Sequence, residues 1–360
     1  MAKMITVKRA AEILEVTPHY IRKLIKENKI QGSQLPNSHR WQVDSESLEK
    51  YKKTDIFKTD LAQLQKPQPI TMKEMSENIE ELFDADLINY IANPSPVSQI
   101  DYNDTIALDD LLNTLVPRKK GKGKKFRKVI LILHSPGGVL EAAIKLTGII
   151  RSYTNEFEVI VPLSAKSAAT LLALSADKLY MTPVSELGPV DPIVQSPTNP
   201  AIQVSAKAIK DFIDTYGNDI NSTNHNSGYQ ILLQKMQNGL DPYLLGSYQG
   251  ALNFSQTEIK KVLETKINDQ DKLKKAVDIF FNPDQSHAYP IMFETLQRYN
   301  LAELINKNIE LKALKMLIAG YSNFMVTHGI VKLIGNRDEN KNVAIQQTVP
   351  QKIISTENRA

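Results

Sequence analysis

The sequence predicts an α/β protein with a parallel sheet, preceded by a small helix-turn-helix head. Between residues 129 and 181, three apolar segments of strand type alternate with two helical patterns, which is the order that parallel crossover connections require. The first 53 residues instead contain two short amphipathic helical patterns and carry a net charge of +5. The longest apolar run, Val129–Leu133, is far shorter than the roughly 20 residues of a membrane helix. These observations favour a soluble, cytoplasmic protein of two parts.

Composition and charge narrow the chemistry that the chain can perform. None of the 360 residues is cysteine, which excludes disulfides, thiolate metal sites and a cysteine nucleophile. The net charge of +4 is unevenly distributed, because residues 1–53 carry +5, Arg118–Lys128 carries +8 and the rest of the chain carries −9. Affinity for nucleic acid is therefore expected in the two basic segments. The second segment is either a nucleic-acid arm or a solvated loop, and its two glycines favour the loop.

The head begins with two helical patterns that are joined by a short turn. Thr6 is a suitable N-cap for the first helix, and Val16–Pro18 ends that helix and begins the second. The apolar stripe of the second helix comprises Tyr20, Ile21, Leu24 and Ile25, whereas Arg22, Lys23 and Lys26 are predicted to point outward. Two extended stretches around a polar turn follow and suggest a small wing. A cationic second helix of this kind suits the major groove of DNA.

The head resembles the excisionase/MerR-like winged helix-turn-helix family in three blocks, Thr6–Thr17, Tyr20–Ile25 and His39–Val43. The resemblance implies DNA contacts by Thr17, His19, Tyr20, Arg22 and Lys23, and a contact by Arg40 from the wing. One small module makes few phosphate contacts, so DNA binding would imply a dimer or a larger assembly. The alternative is a small adaptor whose cationic side chains are only solvated.

Four segments are predicted along the chain: the winged helix-turn-helix domain at 1–53, a polar linker at 54–77, the α/β body at 78–335 and a flexible tail at 336–360. At the start of the body, the pattern predicts a helix over Ile79–Ile91, a short strand over Val97–Asp101 and a helix over Thr105–Leu112.

The strands of the body end in segments that are suited to chemistry. The strand at 129–133 is followed by Pro136-Gly137-Gly138 and the helix Val139–Tyr153, and the strand at 157–163 by Ser164–Ser167 and the helix Ala168–Ser175. A third strand is predicted at Lys178–Met181. Parallel α/β sheets place their sites at the carboxyl ends of strands, where both of these loops lie.

A serine nucleophile needs a base and amide donors for the developing oxyanion. Ser167 begins a helix beside the free N–H of Ala168, and glycines at 137 and 138 allow the backbone to approach a ligand. Ser135 and Ser164 are rival nucleophiles, although neither begins the helix. The structural alternative for Ser167 is an ordinary N-cap.

The body is similar to the serine dehydrogenase proteinase family of the Clp-protease/crotonase fold, which is related to the signal peptide peptidase A group. The similarity rests on Ser135–Gly138, Val159–Pro162, Ala165–Asp177, Ser185–Pro192 and Ser286–Ile291. It implies a ββα superhelix in which Ser167 is the nucleophile and the amides of Gly138 and Ala168 form the oxyanion hole, with Gly137 in support.

The general base stays open at this point. Relatives of the signal peptide peptidase group use a Ser-Lys dyad with the lysine 40 to 50 residues after the serine, which implies Lys207 and, as a second choice, Lys210. Lys166 should point elsewhere because it is adjacent to the serine. His287 lies in a family block and either supports the site or acts as the base. Asp191 is a further candidate for site support, although its simplest role is to fix a turn.

These predictions combine into a serine peptidase that forms an acyl-enzyme through Ser167 and Lys207 and is tethered to DNA by its head. A peptide or protein substrate and a homo-oligomer are expected, with no metal, no cofactor and no membrane. The alternative function is a non-catalytic DNA-binding regulator whose body oligomerises or senses a ligand. Acyl-CoA chemistry on the same fold is a weaker third choice, because it leaves Ser167 without a role.

Overall fold

The centre of the molecule is a six-stranded mixed sheet. The computed structural model describes residues 3–36, 38–57, 72–115, 128–195, 203–206, 242–281, 286–305, 329–336 and 343–346, with residues 211, 234, 319, 320 and 323. The sheet consists of β4 (Asp86–Ala92), β5 (Val129–His134), β6 (Phe157–Val161), β8 (Lys178–Met181), β13 (Ile330–Gly335) and β14 (Val343–Gln346). Its strand order is β14-β13-β4-β5-β6-β8, and the four strands from β4 to β8 are parallel.

Helices cover both faces of this sheet. One face packs mainly against α5 (Tyr102–Leu115), α6 (Leu140–Tyr153) and α7 (Ala168–Leu174), with α8 (Pro242–Glu264) and α9 (Gln270–Phe280) farther out. The other face packs against α4 (Met72–Phe83) through Met75 and Ile79. Coverage on both faces explains why strands β4, β5 and β6 are buried along their whole lengths.

Smaller elements surround the loops at the carboxyl ends of the parallel strands. They are β7 (Ser164–Ala165), β9 (Glu186–Leu187), β10 (Ile193–Gln195), β11 (Gln203–Ser205), β12 (Ile291–Met292) and α10 (Phe293–Arg298). Strands β12, β9 and β7 form a second sheet, which brings the segment near residue 290 alongside the loop before Ser167. Strands β10 and β11 form an antiparallel hairpin.

The head forms a separate layer with its own core. It contains β1 (Met4–Thr6), α1 (Val7–Leu14), α2 (Pro18–Lys26), β2 (Gly32–Gln34), β3 (Trp41–Asp44) and α3 (Ser45–Lys52). Its three strands are antiparallel in the order β1-β3-β2. Thr6 caps α1 by accepting from Arg9 N at 3.2 Å, as the sequence predicted. The predicted stripe Tyr20, Ile21, Leu24 and Ile25 is buried in this core.

The structure corrects several element predictions. Residues 86–92 form strand β4 rather than the end of a helix, because the strand lies between β5 and β13 and buries every residue. The predicted strand over Val97–Asp101 is a 3₁₀ turn at Pro96–Ser98, followed by a single bridge from Ile100 to Gly138. Residues 72–77 of the predicted linker belong to α4, and the predicted flexible tail contains strand β14, which pairs with β13. Residues 54–57 of the predicted linker are described and adjoin the head, where Phe57 is part of its core. Linker residues 58–71 and the basic run at 118–127 lie outside the described residues.

Candidate active site

The two loops that carry the predicted nucleophile and oxyanion residues are joined by backbone hydrogen bonds. Ser135 N donates to Ser164 O at 3.0 Å, and Lys166 N donates to Ser135 O at 3.0 Å. These bonds extend the pairing of neighbouring parallel strands beyond their ends. The loops after β5 and β6 therefore lie side by side, as the sequence predicted.

Ser167 adopts a backbone conformation that side chains rarely accept. Its φ is +49° and its ψ is −121°, immediately before the first residue of α7. Strain of this kind at a non-glycine residue persists only where the surrounding structure holds it, and it is typical of serine nucleophiles at sharp strand-to-helix turns. The Ser167 side chain does not cap α7, so the alternative role as an ordinary N-cap is wrong.

The rival serines are engaged elsewhere. Ser135 is fully buried, and its Oγ accepts from Gly137 N at 3.2 Å. Ser164 Oγ lies 3.2 Å from Nδ1 of His134. Within the part of the chain that the structure describes, the Ser167 hydroxyl has no hydrogen-bond partner. Ser167 is therefore the serine of the three whose hydroxyl is available to a ligand.

Glycine is required at both positions of the Gly137-Gly138 pair. The φ values are +99° at Gly137 and +150° at Gly138. A Cβ at Gly137 would lie 2.9 Å from the Cβ of Ser167, and a Cβ at Gly138 would lie 2.3 Å from Ile100 N. Space and backbone conformation thus both exclude a side chain here. The pair is packed between the nucleophile loop and residue 100.

Two backbone amides near the nucleophile loop have no acceptor among the described residues. Gly137 C=O accepts from Ile100 N, and Val139 N donates to Ile100 O, but the N–H of Gly138 between them has no acceptor among the described residues. The N–H of Ala168, at the first position of α7, likewise has none within the described ranges. Free amides at the start of a helix and beside a glycine pair are suited to binding an oxyanion.

A cavity of about 880 Å³ opens over these residues. Gly138 and Ser167 line it, together with Asp191 and His287. Helix α8 forms another wall through residues such as Ala251 and Phe254. The cavity is large enough for several side chains of a peptide.

His287 and Asp191 form a pair in this cavity. Asp191 Oδ1 lies 2.5 Å from His287 Nδ1, and its other oxygen accepts from Ser205 Oγ at 3.2 Å. Asp191 is buried and the His287 side chain is partly exposed. A carboxylate acceptor at Nδ1 fixes the ring orientation and leaves Nε2 to face the cavity as a proton acceptor. The sequence suggested that Asp191 fixes a turn, and it gave no sign of this contact with a residue 96 positions away.

Of the three lysines considered as the base, the structure describes one, Lys166. Lys207 and Lys210 lie outside the described residues. Lys166 points away from Ser167, as predicted, and its Nζ lies 2.8 Å from Glu186 Oε1. The backbone before Lys207 is described: Ala206 N donates to Pro192 O at 3.0 Å, beside the cavity.

A second histidine near the site, His134, has a structural role. His134 ends β5, and Nδ1 lies 3.2 Å from Ser164 O. Burial lowers the pKa of His134, and this hydrogen bond opposes the shift only in part. The ring is therefore neutral at physiological pH and engaged with the loop backbone.

The predicted DNA-facing helix presents much of its cationic face to the acidic helix α4. Arg22 is 3% exposed, bonds to Glu81 and donates to Asn78 Oδ1 at 2.7 Å, so the prediction that it points outward is wrong. His19 lies 3.0 Å from Glu74 and 3.3 Å from Glu77. The reason is electrostatic: carboxylates 50 to 60 residues further along the chain supply the partners that a buried guanidinium needs.

The other predicted DNA contacts divide into inaccessible and accessible residues. Tyr20 is buried, and its hydroxyl lies 3.1 Å from that of Tyr51, so it cannot face DNA. Thr17 caps α2 by accepting from Tyr20 N at 3.2 Å. Lys23 and Arg40 have side chains that are 56% and 61% exposed. A contact with nucleic acid in this conformation would therefore rest mainly on Lys23 and Arg40.

One group of described side chains has the composition of a metal site. Ligand atoms of His39, Glu80 and Asp86 lie within 4.8 Å of one another, and all three residues are buried. His39 Nε2 lies 2.8 Å from Asp86 and its Nδ1 lies 3.8 Å from Glu80, so each ring nitrogen faces a different carboxylate. The arrangement is that of a buried polar cluster joining the head to α4 and β4, because one imidazole nitrogen facing all the ligands would suit chelation better.

Comparisons with known proteins bear on the body of the chain. A family model described as ClpP-like SDH-type serine proteinase matches residues 107–222. The uncharacterized protein MJ0137 of Methanocaldococcus jannaschii is 29% identical over 177 residues, which cover 49% of this chain and 54% of that protein. The uncharacterized protein MJ1495 of the same organism is 37% identical over 62 residues, or 17% of this chain and 21% of the relative. The chain thus spans about half the length of the first relative and less of the second.

A solved structure is similar over a larger part of the chain. It is a mutant of the 1510-N membrane-bound stomatin-specific protease, and the alignment covers 61% of this chain and 79% of that chain, with 17% identity and a TM-score of 0.34. Among the helices that the structure describes, none combines the length and the apolar character needed to cross a membrane. The segment 107–222, which contains Gly137, Gly138 and Ser167, is thus similar to the ClpP-like SDH-type serine proteinases, and this similarity supports a serine-type peptidase as the class of enzyme.

Proposed function

We propose that this protein is a serine peptidase that acts through an acyl-enzyme on Ser167. The observation that carries the proposal is the strained backbone of Ser167, whose hydroxyl has no partner among the described residues. Its chain neighbour Ala168 and the cavity-lining Gly138 have amides that also lack acceptors there. A fold maintains such strain where it places a reactive group. The family-model match over the same segment supports the same chemistry.

The reaction follows from the positions of these groups. Ser167 Oγ attacks the carbonyl carbon of the scissile peptide bond, and its proton passes to a base. The N–H groups of Gly138 and Ala168 stabilise the resulting oxyanion. The tetrahedral intermediate collapses, the amine leaves with the proton from the base, and water then hydrolyses the ester by the same steps.

The pair of His287 and Asp191 is the best-supported base. It shares the cavity with Ser167, and the carboxylate of Asp191 holds Nδ1 of the ring, so that Nε2 is left to accept the serine proton. Lys207 remains the rival base. It lies outside the described residues, but it follows by two positions Ser205, whose hydroxyl donates to Asp191 in the cavity. A lysine base would need a pKa lowered by burial, whereas a histidine needs no such shift.

The cavity supports a peptide as the substrate. Its walls include apolar side chains from two sides, Val139 and Leu140 on one and Ile193 and Phe254 on the other. Glu141 and Gln99 add polar groups at the wall near Gly138. An extended chain with an apolar side chain next to the scissile bond fits this lining better than a highly charged substrate.

Labelling with a fluorophosphonate tests the proposal. The wild-type protein is expected to gain one adduct, and Ser167→Ala to gain none. Ser152→Ala, at an exposed position of α6, is the matched control and should label like the wild type. A wild-type protein that does not react, or a Ser167→Ala protein that still does, would show that Ser167 is not the nucleophile.

The two candidate bases are separated by the rate of the same labelling. His287→Gln is expected to slow adduct formation by about 10²-fold or more, since a general base contributes on the order of 10²–10⁴-fold. Lys207→Met should change the rate little. The reverse result would assign the base to Lys207 and restore the Ser-Lys dyad that the family resemblance implied.

We propose the DNA tether separately, because it rests on the head alone. Its support is the exposed pair of Lys23 and Arg40 beside two short helices and a hairpin. A gel shift with the full chain should show retarded DNA at low salt and loss of binding as salt rises. Lys23→Ala with Arg40→Ala should weaken the shift. A chain that binds DNA but does not react with the fluorophosphonate would favour the non-catalytic regulator instead.

A homo-oligomer is also part of the proposal. A single small head offers few phosphate contacts, so several copies would be needed for firm DNA binding. A mass measurement in solution tests this directly, and a monomer at all concentrations would contradict it.

A further inference from the structure

A buried lysine lies close behind the oxyanion amides. Lys332, on β13, is 1% exposed, and Asp104, on α5, is 2% exposed. Lys332 Nζ lies 2.8 Å from Asp104 Oδ1 and 3.0 Å from Oδ2. The ammonium also donates to Gln99 O at 2.7 Å. Its charge is therefore balanced mainly by Asp104, with the more exposed Asp101 Oδ2 3.6 Å away. The contact with Gln99 is directed at the backbone that borders the cavity.

That backbone contact begins a chain of two peptide groups that ends at Gly138. The carbonyl of Gln99 and the N–H of Ile100 belong to one planar peptide group, and Ile100 N donates to Gly137 O at 2.8 Å. The carbonyl of Gly137 and the N–H of Gly138 belong to the next planar group. A hydrogen-bonded series therefore runs from the ammonium of Lys332 through both peptide groups to the unoccupied N–H of Gly138.

The carboxylate end of the network is also fixed. Asp104 Oδ2 accepts from Tyr90 OH at 2.7 Å and from Asp101 N at 2.9 Å. Burial raises the pKa of Tyr90 well above its usual value, so its phenol stays a proton donor at physiological pH. Tyr90, Asp101 and Lys332 all donate to the Asp104 carboxylate and hold it in place. The fixed carboxylate in turn fixes the position of the Lys332 ammonium.

We propose that Lys332 and Asp104 are positioning residues for the oxyanion hole. Lys332 orients the Gln99 and Gly137 peptide groups, and it polarises them so that Gly138 N–H donates more strongly to the developing oxyanion, as chained hydrogen bonds do. The proposal rests on the peptidase function proposed above. It adds a requirement for two residues that lie behind the site and do not touch the reacting atoms.

The close contact at Gly138 is a reason to expect this effect to reach the site. A Cβ at Gly138 would lie 2.4 Å from Ile100 O, so the two segments are as close as backbones allow. A shift of residue 100 therefore has to be transmitted to Gly138. Gln99 and Gly138 also line the same cavity, which places the end of the series at the substrate.

The test uses the full chain and a neutral double variant. Lys332→Met alone would leave Asp104 as an uncompensated buried charge and would endanger folding. Lys332→Met with Asp104→Asn removes both charges and keeps an acceptor for Tyr90 and Asp101. Lys266→Met is the matched control, because Lys266 is a partly buried lysine that also donates to a backbone carbonyl, that of Ala176 just after the end of α7.

Two readouts separate positioning from general destabilisation. For a peptide ester substrate, the double variant is expected to lose about tenfold in kcat with KM unchanged, a smaller loss than the 10²–10³-fold seen when an oxyanion donor is removed outright. The infrared band of the acyl-enzyme carbonyl should move to higher wavenumber, because its hydrogen bond from Gly138 is weaker. The Lys266→Met control should change neither quantity.

The outcomes are distinct from those that test the peptidase function. A wild-type protein that forms no acyl-enzyme overturns the proposed function and this inference with it. An active wild type whose double variant is folded, with kcat and the carbonyl band unchanged, overturns this inference alone. A lower kcat with a shifted band in the double variant, and an unchanged control, supports it.

Discussion

Ser167 holds a positive φ although glycine would accept that conformation at lower cost. The strain is on the order of 1–3 kcal/mol for a residue with a side chain. The fold offsets it with the buried helix α7 behind the serine and the glycine pair in front of it. A strained serine whose hydroxyl has no partner among the described residues contributes little to stability, which favours a chemical role.

The strain predicts an unusual order of stability among variants of Ser167. Ser167→Gly should unfold with a free energy about 1 kcal/mol higher than Ser167→Ala, because glycine accepts the positive φ. Neither variant should react with a fluorophosphonate. Denaturant unfolding monitored by circular dichroism measures the difference. Equal stability of the two variants, or lower stability of the glycine variant, would show that position 167 is unstrained.

The glycine pair predicts a second effect of a single methyl group. Gly138→Ala should lower the free energy of unfolding by about 2 kcal/mol or more and abolish labelling of Ser167, because its Cβ would meet Ile100 N at 2.3 Å. Gly148→Ala in α6 is the matched control: nothing lies within 4 Å of its Cβ, and alanine favours a helix. The control should be as stable as the wild type or slightly more. An active, stable Gly138→Ala protein would contradict the packing at this loop.

The contact between α2 and α4 is the clearest case of charge pairing between helices in the described chain. A hydrogen bond from His19, together with the charges of Lys26 and Arg22, lowers the pKa of Glu77 to about 2, although burial acts in the opposite direction. Glu81 behaves differently, since burial raises its pKa and Arg22 compensates only in part. The two carboxyls therefore respond differently to acid.

The lowered pKa of Glu77 predicts how stability changes with pH. A carboxyl whose pKa is lower in the folded chain than its ordinary 4.5 stabilises the fold above that pH, and this contribution is lost as the pH falls toward 2. Glu77→Gln should therefore cost on the order of 2 kcal/mol at neutral pH and flatten the decline in stability between pH 4.5 and 2. Glu46→Gln, on an exposed residue of α3, is the control. Parallel pH profiles for Glu77→Gln and the wild type would contradict the pairing.

Elements with a local signal were predictable from the sequence, and elements set by distant partners were not. The N-cap at Thr6, helices α6 and α7 and strands β5 and β6 follow from spacing and capping. The sequence pattern predicts a helix where strand β4 forms, because a run of buried residues gives no period that separates the two. The burial of Arg22 depends on α4, which no pattern near residue 22 reveals.

The candidate site was predictable to the same degree. Ser167, Gly137, Gly138 and Ala168 follow one another along two neighbouring strand ends, so local spacing brought them together. Asp191 and His287 lie in two separate sequence blocks, and nothing in the sequence indicates that they form a pair. Their contact arises because β12 pairs with β9 and so returns the chain to the site about 100 residues later. Lys332 gave no sequence signal, since a lysine in a short apolar strand resembles an edge residue.

The head and the body are joined by buried ion pairs across several elements. Arg22 contacts α4, and His39 lies between Glu80 of α4 and Asp86 at the start of β4. Helix α4 also packs on the central sheet through Met75 and Ile79. The contacts therefore link the two hydrophobic cores through one helix.

This linkage predicts that the chain unfolds cooperatively. Arg22→Met should leave Glu77 and Glu81 without their buried cation and separate the melting of the head from that of the body. Scanning calorimetry should show one main transition in the wild type and two in the variant. Lys23→Met, on the exposed side of the same helix, should keep one transition. Two transitions already present in the wild type would contradict the coupling.

A crystal structure of the fluorophosphonate adduct would show whether Ser167 and the two amides act on the same group. We expect phosphorus bonded to Ser167 Oγ, with the phosphoryl oxygen about 2.7–3.1 Å from the amide nitrogens of both Gly138 and Ala168. His287 should lie within hydrogen-bond distance of the serine oxygen. An adduct on another residue, or a phosphoryl oxygen that contacts neither amide, would show that this loop pair is not a hydrolytic site.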